Sequence, residues 1–262
     1  MFMKMLFKAC ILSVLICSSI LASAQTVTLD YFFNRETRKN KQGKEVRFHY
    51  LWNEQAMSGF SIFGDVFKKE GFKLDSLETA PTIANLKGSD VYLIVDPDRP
   101  KENPKPNYIE AEHIAAISAW VKQGGVLVMF ANDSANVELP HFNKLANVFG
   151  INFSDKSRNM VKGDDFPTGE VHSSGKTVFK EDVKMYLKEV SVLNLKAPAT
   201  AVAGRDGDVI MATAKYGKGT VFAVGDPWLY NEYTDGRKLP QDYDNYAAAE
   251  MLSRWLLYQS KK

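Results

Sequence analysis

The chain has 262 residues, 45% of them hydrophobic, with 33 Lys and Arg against 31 Asp and Glu. So balanced a charge creates no net field for nucleic acid or a membrane surface. Ordinary apolar and charged content, without internal repeats or low-complexity runs, excludes a disordered, fibrous or solenoid protein.

Residues 1–24 read as a signal peptide rather than as part of the fold. Lys4 and Lys8 give a basic start, residues 9–20 are largely apolar, and Ala22-Ser23-Ala24 supplies a small-x-small cleavage pattern. The apolar run is too short for a transmembrane span. Cleavage after Ala24 would leave a single domain, 25–262, in the periplasm or outside the cell. Cys10 and Cys17 would leave with the signal, so the mature chain would hold no disulfide, thiolate nucleophile or Cys-based metal site. Lys4 and Lys8 would leave too, making the remainder formally neutral.

Residues 26–33 alternate apolar and polar side chains and predict a first strand. The charged stretch 34–44 reads as a loop. Phe60, Ile62, Phe63, Val66 and Phe67 recur at helical spacing, and Gly71 ends that helix. Residues 72–77 predict a short second strand. Residues 91–95 are a solid apolar run stopped by Asp96-Pro97, as in a central strand covered on both faces. A proline-rich loop follows, then a helix over 109–122 ending at Gly124-Gly125, then a buried strand over 126–130 that runs into Asn132-Asp133. Residues 141–149 predict a short helix, and 151–176 a long polar loop. Strand-like segments follow at 186–195, 200–203, 209–215 and 220–224, the last ending at Gly225-Asp226-Pro227, and an amphipathic helix over 243–258 closes the chain. Strand–helix–strand alternation implies an α/β domain with a mostly parallel sheet, helices on both faces, and the late strands added antiparallel at one edge.

In open α/β sheets ligands bind beyond the carboxyl ends of the strands. Four polar segments are expected on that rim: His49-Tyr50-Leu51-Trp52-Asn53-Glu54, Asp96-Pro97-Asp98-Arg99, Asn132-Asp133-Ser134, and Asp226-Pro227-Trp228-Leu229-Tyr230-Asn231-Glu232-Tyr233. Aromatic faces from Trp52, Trp228, Tyr50, Tyr230 and Tyr233, ringed by Asn53, Asn132, Asn231 and carboxylates, suit a sugar. Arg99 or Arg237 could pair with a sugar carboxylate. The bland reading stands beside this: Asp96 and Asp226 could cap backbone after a strand, and the aromatics could be packing. His49 and His141 lie nearer the rim than His113 and His172. There is no G-x-S-x-G elbow, no phosphate-binding loop and no helical His pair for zinc, so neither cofactor nor metal is expected.

The segment Gly217-Lys218-Gly219-Thr220-Val221-Phe222-Ala223-Val224-Gly225-Asp226, with 91–97 and 120–133, resembles class I glutamine amidotransferase-like domains, including the trehalose-utilisation-like group. That resemblance implies a flavodoxin-like three-layer sandwich. Gly225-Asp226-Pro227-Trp228-Leu229-Tyr230-Asn231-Glu232-Tyr233, Leu239-Pro240, Trp52-Asn53, Ser58-Gly59-Phe60, Ala80-Pro81-Thr82 and Val95-Asp96-Pro97-Asp98 look like a Bacteroidetes domain found alone or fused to unsaturated glucuronyl or rhamnogalacturonyl hydrolases. Without a cysteine in the mature chain, amidotransferase chemistry is excluded. The resemblance implies a role on uronic-acid-containing oligosaccharides of ulvan or rhamnogalacturonan type, with those hydrolases as pathway partners. The favoured activity is a dehydratase that takes water from a non-reducing-end uronic acid. Arg99 or Arg237 would then neutralise the carboxylate, His49, His141 or Tyr50 would act as base, and Tyr230 or Glu232 as acid. Asp96, Asp98, Asp133 and Asp226 would line the substrate site. The alternatives are a non-catalytic carbohydrate-binding module, or a glycoside hydrolase using Asp226 with Asp98 or Glu232.

Overall fold

A computed structural model of the chain describes residues 24–173 and 176–261. The expected signal peptide lies almost entirely outside the described residues. In chain order the elements are β1 (Thr26–Asp30), β2 (Thr37–Lys39), β3 (Glu45–Arg47), α1 (Ser61–Lys69), β4 (Lys73–Leu77), α2 (Ile83–Leu86), β5 (Val91–Val95), α3 (Ala111–Gln123), β6 (Val126–Phe130), α4 (Leu139–Ala146), β7 (Ile151–Arg158), β8 (Glu170–Ser173), β9 (Lys184–Tyr186), β10 (Val190–Leu195), β11 (Thr200–Arg205), β12 (Asp208–Tyr216), β13 (Gly219–Val224), α5 (Asn231–Thr234) and α6 (Asn245–Ser260).

The central strands are parallel in the order β4-β1-β5-β6-β13, with Val27 opposite Val91 and Val95 opposite Phe130. From β13 outward the pairing turns antiparallel, through β12, β11, β8 and β9, while β10 bridges β12 and β7. The sheet is therefore mixed, and the expectation of a mostly parallel sheet is corrected. Two short connections explain the switch: Asp206-Gly207 joins β11 to β12 and Gly217-Lys218 joins β12 to β13. Links that tight permit only antiparallel neighbours.

Residues alternate across the sheet as its pleat requires. On one face Val27, Leu93, Val128, Phe130 and Phe222 pack with Phe60, Phe63 and Phe67 near and within α1 and with Leu252 and Leu256 of α6. On the other Tyr92, Ile94, Leu127 and Met129 pack with Ile117, Trp120 and Val121 of α3 and Phe142 and Leu145 of α4. Helices on both faces make a three-layer α/β sandwich. No described helix is long and apolar enough to cross a membrane.

The stretch 151–176, expected as a loop, instead supplies β7 and β8. Only Ile151 and Phe153 of β7 are apolar and buried, and its remaining six residues are polar. Its strand character comes from the ladder with β10, with Phe153 opposite Leu193. The charged loop 34–44 likewise contributes to a small hairpin, with Arg38 opposite Val46.

A candidate active site at the strand ends

The carboxyl ends of β5, β6 and β13 deliver Asp96, Asn132 and Asp226 to one region. Beside them is a polar cavity of about 230 Å³. Its wall is built from distant segments: Glu36, His49, Tyr50 and Ser58 from the long connection after β1; Asp96 and Glu102 after β5; Asn132 and Asn136 after β6; Lys188 and Glu189 between β9 and β10; Tyr230, Glu232 and Tyr233 at α5.

The backbone here is unusual. Seven non-glycine residues have positive φ among those described, and five of them line this cavity: His49 (64°), Tyr50 (57°), Ser58 (69°), Asp96 (35°) and Glu189 (54°). Left-handed backbone is disfavoured for a residue with a Cβ and persists only where surroundings impose it, which is characteristic of functional sites. The restraints are visible. Tyr50 N–H donates to Ser58 O at 2.9 Å, and Ser58 N–H donates to Glu232 Oε2 at 2.9 Å. The Asn231 amide donates to Glu54 O and Ala56 O, at 2.8 and 2.9 Å, and its Oδ1 accepts from Ile62 N–H at 2.9 Å. Loop 49–59 is thereby sewn to α5. Gly59 lies inside this stitch, where a Cβ would come 2.0 Å from Glu54 O.

Three chemical groups face one another across the hollow. The first is a dyad, His49 Nδ1 to Glu36 Oε1 at 2.7 Å. Burial opposes the imidazolium charge, but the Glu36 hydrogen bond and nearby carboxylates outweigh it, and the pKa lies above 6.5. The second is a phenol–carboxyl cluster. Tyr50 donates to Asp96 Oδ2 at 2.6 Å, Asn132 N–H donates to Asp96 Oδ1 at 2.8 Å, and the Tyr50 and Tyr230 rings lie 5.7 Å apart. Burial pushes Asp96 up to about 7 and holds both phenols well above 10, so the tyrosines keep their protons at neutral pH. Among the described residues, the buried Asn132 Oδ1 has no hydrogen-bond partner. The third is the Lys188 ammonium, the cavity's one lysine or arginine among the described lining residues. The Lys188 backbone N–H donates to Asp226 Oδ2 at 2.8 Å, and the ammonium lies 3.8 Å from Glu189 Oε2.

Of the residues singled out from sequence, His49, Tyr50, Asp96, Asn132, Tyr230 and Glu232 meet here. The others lie elsewhere. Trp228 is fully buried in the core and offers no platform. Trp52 packs on Phe63 and Phe67, its indole N–H donating to Asp75 O, while Asn53 points outward and is exposed. Asp226 is buried behind the cavity, its carboxyl raised well above the ordinary range by desolvation. Asp98, pushed up to about 6 by burial, caps Arg35 N–H and accepts from Asn103, and Asp133 caps the turn at Ala135 and Asn136. Asn231 is the loop stitch. Arg99 reaches Ala135 O, Arg237 pairs with Asp235 on the surface, and His141 bonds Glu138 while stacking on Tyr108. None of these three lines the cavity.

Tyr233, expected as a flat face on the rim, also stands in the wall, and Glu36, Ser58, Glu102, Asn136, Lys188 and Glu189 complete it without having been singled out as site residues. Of these six, Ser58 alone had a signal, in the string Ser58-Gly59-Phe60.

No family model and no curated protein matches the chain. Solved structures do resemble it. The mmIFT52 N-terminal domain aligns over 89% of this chain and 97% of its own, with TM-score 0.63 and 14% identity. The cytoplasmic protein STM1381 from Salmonella typhimurium LT2 aligns over 88% and 98%, with TM-score 0.56 and 14% identity. A β-galactosidase from Bacillus circulans sp. alkalophilus aligns over 91% of this chain but 32% of its own, with TM-score 0.52 and 13% identity. At such identities the shared property is the α/β fold.

Proposed function

We propose that the protein is an exported oligosaccharide dehydratase that removes water across C4–C5 of a non-reducing-end uronic acid. The observation that carries this reading is the meeting of a Glu-backed imidazole, a proton-bearing phenol and one ammonium around one sugar-sized hollow. Elimination beside a carboxylate asks for those three groups.

Lys188 would hold the uronate carboxylate and so make the C5 proton removable. This role moves from Arg99 and Arg237 to Lys188, because only the lysine lines the cavity. His49, its Nδ1 committed to Glu36, would take the C5 proton on Nε2. The released electron pair becomes the C4–C5 double bond, the C4–O bond breaks, and Tyr230 protonates the departing hydroxyl to give water. Tyr50, which burial keeps protonated, is better suited to positioning through Asp96 than to acting as a base. Burial favours the neutral forms of Asp96 and Glu102, which lessens the negative charge of the wall.

The test is incubation of the purified protein with saturated glucuronyl–rhamnose oligosaccharides. A rise in absorbance at the unsaturated-uronate band, with loss of one water by mass, is expected. Intact oligosaccharide would refute the activity, and a new reducing end without loss of water would identify a hydrolase instead.

A further inference from the structure

At the opposite end of the sheet a larger cleft, about 690 Å³, opens between α6 and the paired strands β11 and β12. Among the described residues, every charged side chain lining it is a cation: Lys176, Lys180, Lys215 and Arg254. Its aromatic wall is Trp255 and, three residues on, Tyr258. Trp255 rests on the core, 6.1 Å between ring centroids from Phe222, which accounts for its burial. Tyr258 is 59% exposed. Side chains three apart on a helix share a face, which sets both residues on the cleft side of α6.

We propose that this cleft binds an acidic oligosaccharide, carboxylated or sulfated, with its sugar rings on Trp255 and Tyr258 and its anionic groups on the lysines. Charge selects the sign of the ligand, because among the described residues no carboxylate lines the cleft. Part of the cationic rim is held in place: Lys215 Nζ donates to Gln259 Oε1 at 2.7 Å, and Arg254 is paired with Glu70 and Glu250. The hydroxyls of Thr200 and Thr213, also in the lining, can meet sugar hydroxyls. An extended acidic peptide fits less well. Peptides add to a free sheet edge, whereas β12 lies between β13 and β11, and β11 between β12 and β8. Flat rings with hydroxyls and amphipathic cations instead match a pyranose chain, which has apolar faces and charged edges.

The site goes beyond the dehydratase reading and is separable from it. The mature chain would be titrated with a galacturonate hexamer and a sulfated oligosaccharide of similar length, followed by calorimetry and tryptophan fluorescence at low and high salt. Binding to at least one, weakened by salt, is expected. Tyr258→Ala and Lys180→Glu, both exposed positions and each checked for unchanged melting, should each weaken it about tenfold or more. Lys188→Met, in the distant cavity, should leave this binding within about twofold. Absence of binding to both probes overturns the inference. So does binding indifferent to the Tyr258 and Lys180 changes, or a poly-glutamate of equal charge held as tightly. A dehydratase failure with binding intact would leave this site standing.

Discussion

The two hollows of this molecule are built on opposite plans. The cavity at the strand ends is small and polar, its shape imposed by five left-handed residues and a stitched loop, with one ammonium among carboxyls. The cleft beside α6 is about three times larger, uniformly cationic, and faced by aromatic rings on a regular helix. Strained, hydrogen-bonded backbone fixes atoms to a fraction of an ångström, as bond-breaking chemistry requires. A regular helix with long, mobile side chains supplies area and charge, which suffices for holding a chain.

The sharpest way to break that contrast is Lys188→Met. Loss of the cavity's ammonium should lower dehydration by about a hundredfold or more, measured as initial rate at the unsaturated-uronate band. Turnover within a few-fold of wild type would remove the cavity's claim to a uronate.

His49→Gln should cost roughly 10²–10⁴-fold, and the wild-type pH profile sharpens the assignment. A base must be neutral, so the rate should rise with pH through a midpoint above 6.5. Glu36→Gln should move that midpoint down, because it removes the hydrogen bond that favours the imidazolium. An unmoved midpoint would assign the titration to another group.

Gly59→Ala tests whether backbone geometry distinguishes the two hollows. The added Cβ collides with Glu54 O, and a loss of about 1–3 kcal/mol by denaturant unfolding is expected, with oligosaccharide binding at the α6 cleft retained. Wild-type stability would mean the loop yields without cost.

Asp96→Asn gives the smallest effect and the clearest sign. The Asp96 carboxyl titrates near 7 in the folded protein and at the ordinary 3.8 when unfolded. The folded state therefore binds the proton more tightly, so this group's favourable contribution is full below 3.8 and is lost as pH rises through about 7. The neutral variant should melt a few degrees above wild type at pH 8, with the gap closing towards pH 4. A constant difference across that range would show that Asp96 is not the titrating group.

Much of the architecture was legible because its signals are local. The runs 91–95 and 126–130 coincide with β5 and β6, where burial on both faces leaves no polar position to blur the pattern. Gly71 and Gly124 closed α1 and α3 where expected. The strands β7 and β8 escaped because their hydrogen bonds come from partners far along the chain, not from alternation in their own residues. The site was half legible for the same reason. Asp96, Asn132 and Tyr230 follow strand ends, and strand ends can be read. Glu36 and Lys188 look like ordinary surface charges until the tertiary fold carries them in. Trp228 shows the converse: an aromatic after Asp-Pro reads equally as rim or core, and only coordinates decide.

The placement of the two hollows has one more consequence. The strand β13 runs from the α6 cleft, near Thr220, to the cavity, just past Val224, and six residues at about 3.3 Å each span roughly 20 Å. A short sugar can therefore occupy one hollow without obstructing the other. On the two proposed roles, a short oligosaccharide would reach the cavity unhindered while a longer chain stays tethered at the far end.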